Sequence, residues 1–369
     1  MPGQLFTSLC KRCGVLEAIL SVRNDPLCRE CFTKYVHTKI VKRMEAFRTR
    51  HSAEGEERYL LLPISLGVSS VTLLQILDRH LQGQRHRTGR TGFNLKLLFV
   101  DMPGADADEK IKMIDAIRSK YPHYSFMVRR LDTIFLAASS KSITEEDIKQ
   151  AQETLAKLLD SIPSATSKFD VLNLLKIRLI VKYAGMNECE GILWGSSTTK
   201  LAETILAETA KGRGYALPWA VTDGLSPYGV PFFYPVRDVL KKELISRLEL
   251  DADNTTLKDL IMREGETKAP PSSKNTTIDI LMKQYFESVE EHYPSIVSNV
   301  VRTTGKLEEA KWAAAQRCKL CRLPVDDALL GINGWGGDQK IHQEAGEREV
   351  GLCYGCTRSL PVEAIPLLP

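Results

Sequence analysis

The sequence predicts an α/β protein built on a doubly wound parallel sheet, with a cysteine metal module near each end. Three observations carry that expectation. Short apolar runs alternate with helical patterns from residue 58 to about 250, as strands joined by crossover helices do. Eight of the nine cysteines fall in four C-x-x-C pairs, two near each terminus. The two turns richest in small residues, 65–70 and 195–197, directly follow strand patterns, where ligands bind in such sheets.

Composition narrows the class. The chain has 369 residues, 43% hydrophobic and 26% charged, which excludes disordered and fibrous classes and fits two or three domains. No apolar run approaches the length of a spanning helix, and the first residues lack the basic flank and apolar run of a signal peptide. A net charge of +4 permits an acidic partner without demanding one.

The first cysteine set is Cys10, Cys13, Cys28 and Cys31, with fourteen residues between its pairs. A two-residue gap lets both sulfurs of one turn point at one tetrahedral centre, and the separation approaches ribbon spacing. Gly14 stands where the knuckle needs a positive φ. The second set, Cys318, Cys321, Cys353 and Cys356, is looser, with thirty-one residues between pairs and a Gly-rich excursion over 331–338. Zinc is the expected metal at both, in a structural role, because four thiolates leave no open coordination position. An iron–sulfur cluster uses the same ligands. Cys189 has no cysteine near it in sequence and reads as a buried thiol rather than a reactive one.

Residues 32–51 form a basic segment. Tyr35, Ile40, Met44 and Phe47 can share a helical stripe, while Lys34, Lys39, Lys42, Arg43, Arg48 and Arg50 oppose the single Glu45. A solvated helix face explains that pattern; so does a helix meeting a nucleic-acid backbone beside a metal knuckle. A second basic stretch, Arg85 to Arg90, is expected in a Gly-rich loop.

The α/β region reads in order as a strand over 59–64, a helix over 71–77, and a strand over 96–100 ending in Asp101. A helix over 106–121, a strand over 125–129 and an amphipathic helix over 170–184 come next. A strand over 191–194 and a helix over 200–211 complete the series. Residues 252–275, rich in Asn, Thr, Pro and Ser, are expected to be a mobile loop. Residues 276–316 are expected to be a helical cover, with an apolar stripe of Ile278, Ile280, Leu281, Tyr285, Phe286 and Val289 before Pro294. The expected units are 1–50, 51–250, 251–310 and 311–369.

In the turn after the first strand, Ser65, Gly67, Ser69 and Ser70 can offer backbone N–H groups and hydroxyls to a phosphate at a helix N-terminus. A tight strand-to-helix turn with a serine cap fits the same residues.

Residues 65–70, Ser-Leu-Gly-Val-Ser-Ser, resemble a degraded form of the Ser-Gly-Gly-x-Asp-Ser loop of the N-type ATP pyrophosphatases, the adenine nucleotide α-hydrolase-like fold. Residues 194–204 fall where active members carry a Thr-Gly-His-Asn-x-Asp-Asp-x-Ala motif, and residues 234–243 resemble the family's Arg-Pro-Leu…Glu segment. With the flanking cysteine knuckles, about residues 8–360 are similar to the tRNA 2-thiolation branch, and most closely to the cytoplasmic tRNA 2-thiolation protein 2 family. Leu66 replaces the first loop glycine, and its side chain is expected to intrude where phosphate approaches. Ser69 replaces the aspartate that helps hold magnesium. Ser197, Thr198, Thr199 and Lys200 replace the second motif's acidic pair, and Cys189 is the lone cysteine of the α/β region. These departures weigh against catalysis and ATP binding, while Ser65, Gly67 and Ser70 keep the loop's outline.

The resemblance implies a non-catalytic subunit of a cytoplasmic heterodimer. Its paralogous catalytic partner would 2-thiolate the wobble uridine of tRNAs of the lysine, glutamate and glutamine type, with sulfur from a thiocarboxylated ubiquitin-related modifier. This chain would support its partner and tRNA, with Lys34, Lys39, Lys42, Arg43, Arg48 and Arg50 as candidate RNA contacts. Two other readings compete: an active ATP-dependent tRNA thiolase in its own right, and a general zinc-ribbon RNA-binding protein.

Overall fold

The computed structural model describes residues 8–22, 24–52, 55, 57–104, 107–136, 143–250, 259–262, 276–308, 316–325 and 351–369. Most of the expected loop over 252–275, and the Gly-rich excursion over 331–338, lie outside the described residues.

A short hairpin of β1 (Leu20–Val22) and β2 (Asp25–Leu27) leads into helix α1 (Arg29–Arg43). Its core stripe is Phe32, Val36, Ile40, Met44 and Phe47. The i, i+4 spacing from Phe32 to Met44 makes that stripe, and Tyr35 lies at its half-buried edge.

The central sheet then builds from β3 (Tyr59–Pro63), β4 (Asn94–Asp101), β5 (Ser125–Arg130), β6 (Gly191–Leu193), β7 (Gly224–Leu225) and β8 (Pro231–Phe233). The strand order is β5-β4-β3-β6-β8-β7. Five strands are parallel, but β7 pairs antiparallel with β8 at one edge. The sheet is therefore mixed, not wholly parallel. The β7–β8 turn passes through Pro227 and Gly229, short enough for a hairpin.

Crossover helices are α2 (Val68–Thr88), α3 (Ala107–Lys120), α4 (Glu145–Asp160), α5 (Ala165–Met186) and α6 (Thr198–Ala210). Helix α4 was not anticipated from the pattern. Thr144 and Asp147 form a reciprocal capping box that starts it, a signature that the sequence does carry. Helix α2 also runs longer than expected and ends at Gly89. Arg85, His86 and Arg87 thus occupy a helical last turn rather than a loop, where cations meet the negative end of the helix dipole.

Alternate residues of the strands face opposite sides, and each side has its own core. Leu60, Leu62, Leu95 and Leu97 pack with α1, α2 and Cys10 and Cys28. Leu61, Leu98 and Ile192 pack with α5, α6 and all four cysteines of the C-terminal set. The two four-cysteine modules therefore close opposite faces of one sheet.

A short helix α7 (Leu217–Val221) and then α8 (Lys241–Glu249), α9 (Ile278–His292) and α10 (Pro294–Thr304) follow. Pro294 ends the first helix of the expected cover and opens the second. In α9, Phe286 and Glu290 are buried, whereas Tyr285 is 52% exposed. Glu290 accepts from the Thr199 hydroxyl at 2.8 Å and from the Lys242 N–H at 2.9 Å, tying α9 to α6 and α8. The chain closes with β9 (Gln316–Arg317), β10 (Pro324–Val325) and α11 (Tyr354–Ser359).

A buried charge cluster docks the C-terminal module. Arg213 is fully buried and grips the Asp170 carboxylate with both terminal nitrogens, one at 2.9 Å. Its Nε donates to Glu208 at 2.6 Å, and Ser359 of α11 donates to Asp170 at 2.7 Å. Lys211 completes the set, 3.1 Å from Asp170.

Candidate functional site

The strand order reverses between β3 and β6, so their carboxyl ends open a crevice, the usual ligand position in such sheets. Residues 65–70 and 194–197 both leave from there. They touch: a Cβ on Gly195 would come within 2.9 Å of the Ser70 Cα. Only glycine allows that approach, which brings the two loops together as the sequence suggested.

The loop is closed on itself. The Ser65 N–H donates to Ser70 Oγ at 3.2 Å, and the two hydroxyls lie 3.1 Å apart. Ser70 Oγ donates to the Gly67 carbonyl at 3.1 Å, and the Gly67 N–H reaches Ser65 Oγ at 3.4 Å. Leu66 sits at φ +59° with its side chain fully buried in the core. It does not intrude on the loop mouth as expected. Burying a leucine is worth roughly 1.5–3 kcal/mol, more than the ~1–2 kcal/mol cost of a left-handed residue. The Leu66 carbonyl accepts from the Met262 N–H at 2.8 Å. Half-buried Ser69 supplies no anionic oxygen for magnesium. The residues present do not fit a magnesium-bound nucleotide triphosphate.

The second motif serves structure. Ser197 caps α6 by accepting from the Lys200 N–H. The Thr198 hydroxyl donates to the Arg237 carbonyl at 2.6 Å, Thr199 holds Glu290, and exposed Lys200 pairs with Glu203 at 2.9 Å.

Lys176, on α5, was missed. Burial pulls its ammonium down to about 8, and the Lys200 charge adds to that. It has no hydrogen-bond or carboxylate partner among the described residues. A lone lysine between Leu175 and Ile177 on an apolar helix was the available signal. Cys189 is buried 3.7 Å from the Asn187 carbonyl, and burial pushes its thiol up.

All four sulfurs of each cysteine set lie within 4.8 Å of one another. Cys13 and Cys28 approach to 3.9 Å, as do Cys321 and Cys353. A tetrahedral ion with metal–sulfur bonds near 2.3 Å spaces its sulfurs roughly 3.8 Å apart. The two centres share one construction. In each, the first pair forms a knuckle closed by an N–H to the first cysteine's carbonyl: Gly14 to Cys10 at 2.8 Å, and Arg322 to Cys318 at 2.9 Å. The knuckle residue has positive φ both times, Gly14 at +67° and Arg322 at +61°. The second pair begins a helix, with Cys28 and Cys353 as N-caps. The N-terminal set is partly open at Cys13 and Cys31, whereas the C-terminal set is wholly buried.

The thiols cannot share charge evenly. Burial raises the Cys10 thiol, but backbone N–H donors at Cys28, Cys13 and Arg12 outweigh it and bring it down to about 6. Burial and the neighbouring thiols push Cys31 up to about 12. In the other set, hydrogen bonds from Cys321, Cys353 and Cys356 lower Cys318, and its neighbours raise Cys356. A divalent cation bonded to all four sulfurs holds each of them as a thiolate and removes that conflict, so each set fits one tetrahedral metal ion.

The basic candidates divide. Lys39 donates to the Asp238 carbonyl at 2.9 Å, and Arg43 bonds Asp238 and Asp223 at 2.7–3.1 Å. Those two clamp α1 to the segment between β8 and α8, and Arg43 also ties it to Asp223 just before β7. Arg48 and Arg50 both pair with Glu45. Lys34 and Lys42 point outward, exposed.

The sheet order, the crevice at its reversal and the paired four-cysteine centres define an α/β protein of the N-type ATP pyrophosphatase fold. The fold is similar to that of the U34-tRNA thiolase NcsA from Methanococcus maripaludis, solved with its 4Fe-4S cluster. The TM-score is 0.55 at 14% identity, over 92% of this chain and 99% of that one. The chain belongs to the cytoplasmic tRNA 2-thiolation protein 2 family. It is 48% identical to that protein of Phaeosphaeria nodorum and 47% identical to that of Pyrenophora tritici-repentis, over 98% of each chain in both cases. The family model, Cytoplasmic tRNA 2-thiolation protein 2, matches residues 277–331.

Proposed function

We propose that this chain is the non-catalytic subunit of a cytoplasmic heterodimer that 2-thiolates the wobble uridine of tRNAs of the lysine, glutamate and glutamine type. The observation that carries the reading is the self-satisfied loop of Ser65, Gly67 and Ser70, with Leu66 and Ser69 in place of the residues nucleotide chemistry needs. Cys189, alone in the α/β region, supports it, since one thiol cannot supply a cysteine pair. The paralogous partner holds the intact loop, and sulfur arrives from the thiocarboxylated ubiquitin-related modifier. Each cysteine set holds structural zinc. The chain supports its partner and presents exposed Lys34 and Lys42 to RNA phosphates, with Arg48 and Arg50 beside them.

Purified alone, the chain should release no pyrophosphate from ATP with tRNA present. Co-expressed with the paralogue, it should co-purify with it, and deleting its gene should remove 2-thiouridine from bulk tRNA. Unchanged 2-thiouridine would overturn the proposal.

An enzyme in its own right is favoured by one observation, that Lys176 has no hydrogen-bond or carboxylate partner among the described residues while burial brings its ammonium down to about 8. ATP turnover by the isolated chain, abolished by Lys176→Ala, would establish that reading instead.

A further inference from the structure

At the carboxyl edge of the sheet, beyond the closed loop, lies a cavity of about 210 Å³. Its polar wall comprises Arg43, Thr198, Arg237, Asp238, Ser298 and Arg302. Four separate parts of the chain supply it: the end of α1, the start of α6, the turn after β8, and α10.

The groups in this wall differ in what they can still offer. The Asp238 carboxylate is held by Arg43, from Nε at 2.8 Å and from a terminal nitrogen at 2.7 Å. The remaining Arg43 nitrogen reaches Asp223 at 3.1 Å. The carboxylate is thus neutralised, so the cavity is no cation site. The Thr198 hydroxyl gives its proton to the Arg237 carbonyl, and the Ser298 hydroxyl gives its own to the Pro294 carbonyl at 3.2 Å. Neither hydroxyl retains a proton for a ligand.

Two guanidinium groups remain. Arg237 makes one long hydrogen bond among the described residues, to the Val301 carbonyl at 3.5 Å. It is half-buried. Arg302 is exposed and has neither carboxylate nor carbonyl partner among the described residues. Burial and the Arg43 charge disfavour the Arg237 guanidinium more than Asp223 and Asp238 support it. With Arg302 on the same cavity wall, an anion seated there would meet two guanidinium groups that lack full hydrogen-bond partners among the described residues.

The geometry points to an oxyanion pocket in which Arg237 and Arg302 take a phosphate group, on a wall fixed by the Arg43–Asp238 fork. Planar guanidinium groups match phosphate oxygens in pairs. The cavity is smaller than the roughly 300–1,000 Å³ that encloses whole small-molecule ligands. It suits a single phosphate, either free or carried on a polynucleotide backbone. The pocket does not depend on the thiolation reading, because it rests on these side chains alone.

The test uses the full chain, phosphorus NMR line broadening with inorganic phosphate, and a labelled RNA stem-loop as competitor. Saturable phosphate binding is expected, weakened at least about tenfold by Arg302→Gln and by Arg237→Gln. Arg302→Lys should restore part of it, and the unfolding temperature of the Arg302 variants should stay at the wild-type value. Displacement of phosphate by the RNA assigns the pocket to a backbone phosphate; coexistence assigns it to free phosphate. Absence of saturable phosphate binding, or equal binding by Arg302→Gln, overturns the pocket. If RNA affinity still falls in a Lys34→Glu, Lys42→Glu variant, the RNA reading of α1 survives that failure.

Discussion

The Ser65 and Ser70 hydroxyls lie 3.1 Å apart, and Ser70 Oγ also accepts the Ser65 N–H. A strand-to-helix turn that in a nucleotide-binding relative would present these groups to phosphate spends them on each other. Ser70→Ala would remove the acceptor of the exposed Ser65 N–H and the donor to the Gly67 carbonyl, and should cost about 0.5–1.5 kcal/mol of stability by denaturant unfolding. Thiolation by the reconstituted complex should be unchanged once the variant is folded. A fall in turnover larger than the loss of folded protein would show that the loop still meets a ligand.

Leu66→Gly gives two opposing effects. Removing the side chain relieves a left-handed conformation worth roughly 1–2 kcal/mol, but it empties a fully buried site. Truncating buried leucine costs about 2–5 kcal/mol. The variant should therefore be less stable by a few kcal/mol and should not gain nucleotide affinity. Tighter ATP binding in a calorimetric titration would contradict this.

Charge reversal should separate the basic helix into two functions. Lys34→Glu with Lys42→Glu should weaken RNA binding and flatten its salt dependence by roughly 0.7–0.9 per lost phosphate contact. Arg43→Glu should instead lower the unfolding temperature, since Asp223 and Asp238 would face a third carboxylate. Equal RNA effects and equal melting temperatures for both variants would undo the division.

Acid should loosen the C-terminal module in a defined window. Burial raises the Glu208 carboxyl, but Arg213 and then Lys211 outweigh it and bring it from 4.5 to about 2. A depressed carboxylate contributes stability that is complete above about pH 4.5 and lost as pH falls towards 2. The contribution is on the order of 3 kcal/mol. Denaturant unfolding at pH 7 and pH 3 should show a shallower acid loss in Glu208→Gln than in wild type.

Metal removal should proceed in two stages. Cys13 is exposed and Cys31 half-buried, whereas Cys318, Cys321, Cys353 and Cys356 are all buried. A chelator with a colorimetric readout should release one equivalent of metal quickly and the second only with global unfolding. A single fast phase carrying both equivalents would show the second set to be as open as the first.

Much of this was legible in the sequence, for reasons that particular residues display. The cysteine sets could be read because C-x-x-C spacing is local geometry, and even a thirty-one-residue separation did not obscure it. Strands β3 and β4 were legible because they are buried on both faces and so read as unbroken apolar runs. Strand β8 was not, since a three-residue Pro-Phe-Phe run carries no period. Nor could the sequence show that Lys39 and Arg43 serve Asp238, almost two hundred positions away. A charge run looks the same whether it faces solvent or another element. Lys176 was hidden similarly, because desolvation is a property of what packs around a residue.

The C-terminal cysteines and Ala364 share one core with Leu61 and Ile192, while Cys10 and Cys28 share the other with Leu60 and Leu62. During synthesis one face of the sheet can be sealed by residues already made, but the other must wait for cysteines far downstream of its strands. Until Cys353 and Cys356 have emerged from the ribosome, Leu61, Leu98 and Ile192 have an incomplete cover, and exposed apolar surface of that kind invites chaperones or aggregation. A nonsense mutation that removes only the final C-x-x-C should therefore act on the whole protein's abundance rather than on one appended module.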